Sequence, residues 1–471
     1  MEKSRAGRSS PLKKLKLPAR ATAYYGLSAA LAKSVGILTT PIFTRILDGE
    51  EYGKYTLYMS LLGLFSIICS SFLSPTVIYR AMERFSDKRR ELIFSAFCFG
   101  IGATSVFCLL LFAFNRILGL EFILVPILCL QLLCDVSVGF CQTLRRYEYK
   151  YKALSLINAL SVVLTPLLSI SLILGGGLGY LGRIYSLLFV SLIIALPHVI
   201  RLFRFNGESF DRKIIKYIAG RSFPLLPHSA SGAFSAELDK LMITALLGAQ
   251  ALAKYSVAHT LGLGLGFAVT TLASALYPWV VRRLSSNSAE EVAPTFSALI
   301  SGLGAVAIGL GIVVPELFGF LAPREYFDAQ GATLPLLLST LPTFASSFIT
   351  VGIVNAEKGG YTLFSALCTV FSGILFNILL IPRLKYLGAA LSLLISSLIG
   401  LAINCALLKK CGAESIFPPK DFSRVFSLTL LGLFLAALTY HTPAFRILLL
   451  ILPVTMLYES YGILRTKIKE G

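Results

Sequence analysis

The sequence predicts an all-α polytopic membrane protein, and three observations carry that prediction. About fourteen apolar stretches run from Ala21 to Tyr461. Hydrophobic residues make up 56% of the 471-residue chain and charged residues only 14%, whereas a soluble domain is about 25% charged. Lys and Arg gather in alternate connecting segments. A helix needs about 20 apolar residues to cross a bilayer core, and only helices or closed barrels satisfy every backbone polar group in lipid. The ten-residue alternating segments of a membrane barrel are missing, so the spans are expected to be helices.

In order, the expected spans are 22–44, 55–76, 91–114, 121–142, 153–174, 180–200, 219–246, 255–281, 293–320, 331–354, 361–381, 386–408, 425–441 and 444–461. Only a short turn around His441, Thr442 and Pro443 separates the last two. Charge sets the orientation. With the N terminus in the cytoplasm, the inner segments hold 32 basic residues and the outer segments and span ends hold 9. Lys33 and Lys240 fall inside spans and complete the 43. This positive-inside bias puts both termini in the cytoplasm and requires an even number of spans.

A repeat organises the spans into lobes. Leu47-Asp48-Gly49-Glu50-Glu51-Tyr52-Gly53-Lys54-Tyr55 aligns with Leu247-Gly248-Ala249-Gln250-Ala251-Leu252-Ala253-Lys254-Tyr255 at a spacing of 200, with Leu, Lys and Tyr in register. Six spans per unit is an even number, so both copies enter the membrane in the same direction, as a parallel repeat about an axis along the membrane normal. The expected organisation is a basic cytoplasmic tail (1–20), an N-terminal six-helix lobe (21–200), a cytoplasmic linker (201–218), a C-terminal six-helix lobe (219–408), a second linker (409–424), a C-terminal helix pair (425–461) and a cytoplasmic tail (462–471). Two such lobes suit alternating access around a central cleft. Pro224 and Pro227 are placed to break the start of the seventh span. The tail has no small-residue cleavage pattern after it, so it reads as a topology signal.

Other classes are excluded. A net charge of +19 would suggest nucleic acid in a soluble chain, but here the basic residues flank spans, so no nucleic-acid partner is expected. No Gly-x4-Gly-Lys-Ser/Thr loop for ATP occurs. No gap between spans is long enough for a catalytic domain, so the chain is expected not to be an enzyme and to have no catalytic residues. Nine cysteines lie mostly singly within apolar runs, none in a CxxC pair, so neither a metal nor another cofactor is expected.

Charges inside spans are costly and normally paired or functional. Lys33 lies near the middle of the first span, Asp135 late in the fourth, and Glu237, Asp239 and Lys240 in the seventh. His228 and Asp239 are eleven residues apart and share a helix face, while Glu237 points nearly opposite Asp239 and lies three residues from Lys240. His259 opens the eighth span. Two readings stand. In one, Lys33 and Lys240 bind an anionic headgroup such as a phosphate. In the other, the seventh-span charges form structural ion pairs. Asp135, His228, Glu237, Asp239 and His259 are the candidates for ion coupling or for such pairing, the histidines because they titrate near neutral pH.

The run Pro41-Ile42-Phe43-Thr44-Arg45-Ile46-Leu47, then Glu51-Tyr52-Gly53-Lys54-Tyr55, resembles the signature of bacterial polysaccharide-exporting flippases of the multidrug/oligosaccharidyl-lipid/polysaccharide exporter superfamily. Pro224-Leu225-Leu226-Pro227, Asp239-Lys240, Leu247-Gly248 and Lys254-Tyr255-Ser256-Val257-Ala258 are similar to the matching second-half stretch. The resemblance implies a two-lobed transporter of the bacterial inner membrane that moves undecaprenyl-diphosphate-linked oligosaccharide from the inner to the outer leaflet. It also implies a basic cavity, to which Lys33 and Lys240 would contribute, and membrane lipids, polysaccharide polymerases and glycosyltransferases as partners. The chain departs from the pattern in having few arginines deep in its spans. A cation-coupled multidrug exporter and a peptidoglycan-precursor flippase of the same superfamily are the alternatives.

Overall fold

A computed structural model of the chain describes residues 34–113, 121–148, 151–206, 210–285, 292–356, 358–412, 416–440 and 442–470. Lys33, the basic tail 1–20 and the start of the first expected span lie outside the described residues. Among those described, the regular structure is helical throughout: α1 (34–46), α2 (Gly49–Ser71), α3 (Pro75–Arg84), α4 (Arg89–Ala113), α5 (Leu124–Tyr147), α6 (Tyr151–Leu174), α7 (Gly179–Asn206), α8 (Arg212–Ser222), α9 (Leu226–Leu247), α10 (Ala249–Ser285), α11 (Val292–Ile312), α12 (Val314–Leu321), α13 (Thr333–Asn355), α14 (Gly359–Lys410), α15 (Pro419–Leu438), α16 (Pro443–Leu449) and α17 (Ile451–Glu470), with short 3-10 turns. Ten helical segments among the described residues are long and apolar enough to cross a membrane.

Local chemistry sets the boundaries. Asp48 Oδ1 accepts the Glu51 amide at 2.7 Å and starts α2. Asp211 does the same for α8 through the Lys213 amide at 2.8 Å, as expected of N-caps. Proline opens α3, α15 and α16, where its missing N–H costs nothing. Gly248, at φ 87°, ends α9. The Pro224–Pro227 region breaks the expected span 219–246 into α8, a 3-10 turn at Phe223–Leu225 and α9. The expected span 293–320 is likewise divided at Val313 into α11 and α12. The 52 residues of α14 would extend far beyond a ~30 Å core at about 1.5 Å each. They fold back at Lys385, whose φ of 51° and ψ of −125° are not helical. The expected C-terminal tail instead continues α17 as far as Glu470.

The chain divides into two compact units. One comprises Phe65–Leu226 with the residues before Thr40. Within it, α5 presents Leu124, Val125, Leu128 and Leu132, all essentially without exposure, to its neighbours. Lys88 lies 3.4 Å from the Asp211 carboxylate and 3.3 Å from that of Glu91, tying the start of α4 to the cap of α8.

The other unit comprises Thr40–Leu64 and Pro227–Gly471. Here α13 packs against α10, α11 and α14, while α11 also meets α15 and α17. Two features tie residues 40–64 into it. Thr44 Oγ1 donates to the Leu321 carbonyl at 2.7 Å, and the Arg45 guanidinium donates to the Phe320 and Gly319 carbonyls at 3.0 and 3.2 Å. These are end carbonyls of α12, which have no partner within their own helix, and a cation suits that end of a helix dipole. The repeated segments also meet each other. A Cβ at Gly53 would lie 1.9 Å from the Ala249 carbonyl oxygen, and one at Gly49 would lie 3.3 Å from Gln250 Cγ.

Candidate functional site

A cavity of about 640 Å³ lies within the second unit, between α9, α13 and both arms of α14. Its size falls within the range of about 300–1,000 Å³ common to small-molecule sites. Stripes of small and polar residues at helical spacing make it: Thr343, Ser347 and Thr350 on α13, Thr362, Thr369 and Asn377 on the first arm of α14, and Ser396, Ser397 and Asn404 on the second. From α9, His228 and Asp239 face it, which agrees with their shared helix face.

Seven of the ten hydroxyls lining the cavity have committed their protons. Thr343 donates to the Ser339 carbonyl at 2.8 Å, Ser347 to Thr343 at 2.9 Å and Thr350 to Ser346 at 2.8 Å. On the first arm of α14, Thr362 donates to Gly359 at 2.7 Å and Thr369 to Ser365 at 2.9 Å. On the second, Ser396 donates to Ser392 at 2.6 Å and Ser397 to Leu394 at 2.7 Å. A hydroxyl that donates backwards along its own helix keeps only oxygen lone pairs for a ligand. Asn377 and Asn404 are 2% and 6% exposed, and the Oδ1 atoms of both accept no hydrogen bond from the protein among the described residues.

The charges of α9 separate onto two faces. Asp239 is buried at 4% exposure. Its Oδ2 accepts the Tyr255 hydroxyl, and its Oδ1 accepts the Lys240 amide at 2.9 Å. The Lys240 ammonium instead pairs with Glu237 at 2.7 Å, one turn away, and Glu237 lies beside Gly63 of α2. The His259 ring stands 5.9 Å from that of Tyr255, centroid to centroid. His228 is exposed. The structure thus joins Glu237 to Lys240, and links Asp239 through Tyr255 to His259. Asp135 belongs to the first unit. There its carboxylate accepts Ser66 Oγ and Gln131 Nε2, both at 2.9 Å, and Gln131 Nε2 also reaches Ser191 Oγ at 2.7 Å.

Sequence reasoning did not anticipate Asn404 or the hydroxyl stripes. The signal was present: serine, threonine and glycine recur every three or four residues through 343–350, 362–377 and 396–404.

A family profile described as "Polysaccharide biosynthesis protein" matches residues 19–283. Comparison with curated protein sequences gives no match. Among solved structures, the lipid II flippase MurJ in an inward closed conformation has a TM-score of 0.72 at 12% identity, covering 94% of this chain and 98% of that one. An inward-facing multidrug resistance MATE family transporter of the MOP superfamily has a TM-score of 0.60 at 13% identity, covering 81% and 95%. A mutant of the Vibrio cholerae MATE transporter VcmN has a TM-score of 0.55 at 13% identity, covering 84% and 96%. At such identities the likeness is one of fold. With the profile matching more than half its length, the chain belongs to the polysaccharide biosynthesis protein family.

Proposed function

We propose that this protein is a flippase that carries a polyprenyl-diphosphate-linked glycan from the inner to the outer leaflet of the bacterial cytoplasmic membrane. The observation that carries the reading is family membership over residues 19–283, joined to a transporter fold over nearly the whole chain. Two cargoes fit it. The family description supports a polysaccharide repeat unit. The fold supports a peptidoglycan lipid precursor, because likeness to the lipid II flippase covers more of the chain and has a higher TM-score than the likeness to multidrug transporters; on structure this cargo is the better supported. The buried Asp239 at the cavity favours a second reading, a cation-coupled multidrug exporter.

In the proposed cycle, two six-helix lobes of a fourteen-helix protein alternate access to a central cleft, with both termini in the cytoplasm. No covalent chemistry is involved. Lys33 and Lys240 hold the diphosphate, Lys240 by exchanging Glu237 for phosphate. Polymerases and glycosyltransferases are the expected neighbours in the pathway of glycan assembly. The reading is tested in proteoliposomes containing the full chain, which are offered a polyprenyl-diphosphate disaccharide and, separately, a cationic drug. Movement of the lipid and not of the drug is expected, and the reverse would overturn the substrate assignment. Lys33→Gln and Lys240→Gln should slow transport without blocking membrane insertion. Loss of insertion along with transport would make the lysines structural. Equal rates with and without imposed proton and sodium gradients would remove Asp135, His228, Glu237, Asp239 and His259 from any coupling role.

A further inference from the structure

We infer that the cavity of the second unit is a subsite for the sugar of the cargo, selecting ligands rich in hydrogen-bond donors and excluding the diphosphate. The inference rests on the lipid-linked glycan reading and divides the cargo between two places.

Seven hydroxyls at the cavity spend their protons on backbone carbonyls of their own helices. Each therefore offers oxygen lone pairs alone. Asn377 and Asn404 add buried carbonyl oxygens with no protein donor among the described residues, and leaving such atoms unmatched is costly. Asp239 adds a carboxylate. Lys240 does not line the cavity, and its ammonium is engaged by Glu237. The donors on the wall are fewer: the Asn377 and Asn404 amide NH2 groups, the Ser235, Ser346 and Ser365 hydroxyls and His228. A diphosphate is anionic and all acceptor, so a wall with acceptors in excess and a carboxylate disfavours it. Sugar hydroxyls and N-acetyl amides supply donors to match that excess. Between the oxygens stand Ala236, Ala366, Val351 and Val370, apolar surface for the C–H faces of a sugar ring.

The test compares two lipids on the detergent-purified full chain: a polyprenyl diphosphate bearing a neutral hexose–N-acetylhexosamine disaccharide, and the same diphosphate with no sugar. Binding is read by ligand-induced thermal shift, in sodium chloride and in choline chloride. Wild type should bind the glycosylated lipid about tenfold tighter or better, since one net hydrogen bond is worth about 1 kcal/mol and tenfold is about 1.4 kcal/mol. Thr343→Val with Thr350→Val keeps shape and removes two acceptors. That variant, and separately Asn377→Leu, should erase the sugar-dependent gain and leave the bare lipid's affinity unchanged. If one variant misfolds, the other still decides. Equal weakening toward both lipids would overturn the inference, as would no sugar preference in wild type, or a shift that follows sodium alone. In proteoliposomes, a wild type that moves the glycosylated lipid despite either result leaves the flippase reading standing. A wild type that moves neither lipid removes both.

Discussion

Replacing Gly53 by alanine tests whether the duplicated segments touch as described. The new methyl carbon would stand 1.9 Å from the Ala249 carbonyl oxygen and 2.4 Å from its carbon. A carbon–oxygen contact is comfortable at about 3.3 Å, so the shortfall is about 1.4 Å. Backbone is the obstacle, so no rotamer change relieves it, and α2 must move away from the α9–α10 turn. Overpacking of this kind costs about 1–3 kcal/mol. Alanine's helix preference over glycine returns up to about 1 kcal/mol, and because the clash is with backbone the overpacking cost lies toward the upper end of its range, which leaves a net loss of roughly 2 kcal/mol. Gly102 is the internal control. It lies in α4 with nothing among the described residues within 4 Å of a built Cβ, so Gly102→Ala carries the helix gain alone. Thermal unfolding of both variants in one detergent should place Gly53→Ala below wild type by about 2 °C or more and Gly102→Ala at or above it. A Gly53→Ala protein that melts at or above wild type would refute the close approach.

Three further outcomes are expected. Tyr255→Phe removes the hydroxyl that Asp239 accepts in a buried site and should lower the melting temperature by the equivalent of about 1–3 kcal/mol; adding Asp239→Asn should cost less than the sum of the two changes. Arg45→Ala frees the Phe320 and Gly319 carbonyls and should speed amide exchange at α12, with Arg45→Lys recovering only part of the protection because a single ammonium cannot reproduce the planar fork. The Asp211 carboxyl is held below the usual carboxylate range, first by the Lys213 amide and further by Lys88. A carboxylate depressed by folding stabilises fully above its unfolded value and loses that contribution as pH falls through its folded value, so Asp211→Asn should flatten the fall of melting temperature below about pH 4.

The membrane-helix architecture was legible because apolar length and charge alternation are physical requirements of a bilayer, and they act on sequence locally. The breaks at Pro224–Pro227 and at the α9–α10 turn were legible for the same reason: proline and glycine act where they stand. The division at Val313 was not, since no proline or glycine stands at that position and Pro315 sits just inside the start of α12. The pairing of Lys240 with Glu237 followed from their spacing of three. The partnership of Asp239 with Tyr255 did not, because it joins two helices across sixteen residues. The cavity was missed for a chemical reason. Serine and threonine in membrane helices read as packing residues, and whether they donate or accept is decided by backbone carbonyls on their own helix.

The Thr44–Arg45 contact with the end of α12 bears on how such chains are recognised. The residues that carry the resemblance to polysaccharide exporters are employed in closing the end of a helix and in seating one repeated segment against the other. They are joinery of the scaffold. If the cavity holds the sugar of the cargo as inferred above, relatives with different cargoes should share this joint and differ in the oxygen stripes of α13 and α14, where one threonine-to-valine exchange removes an acceptor and leaves the frame standing.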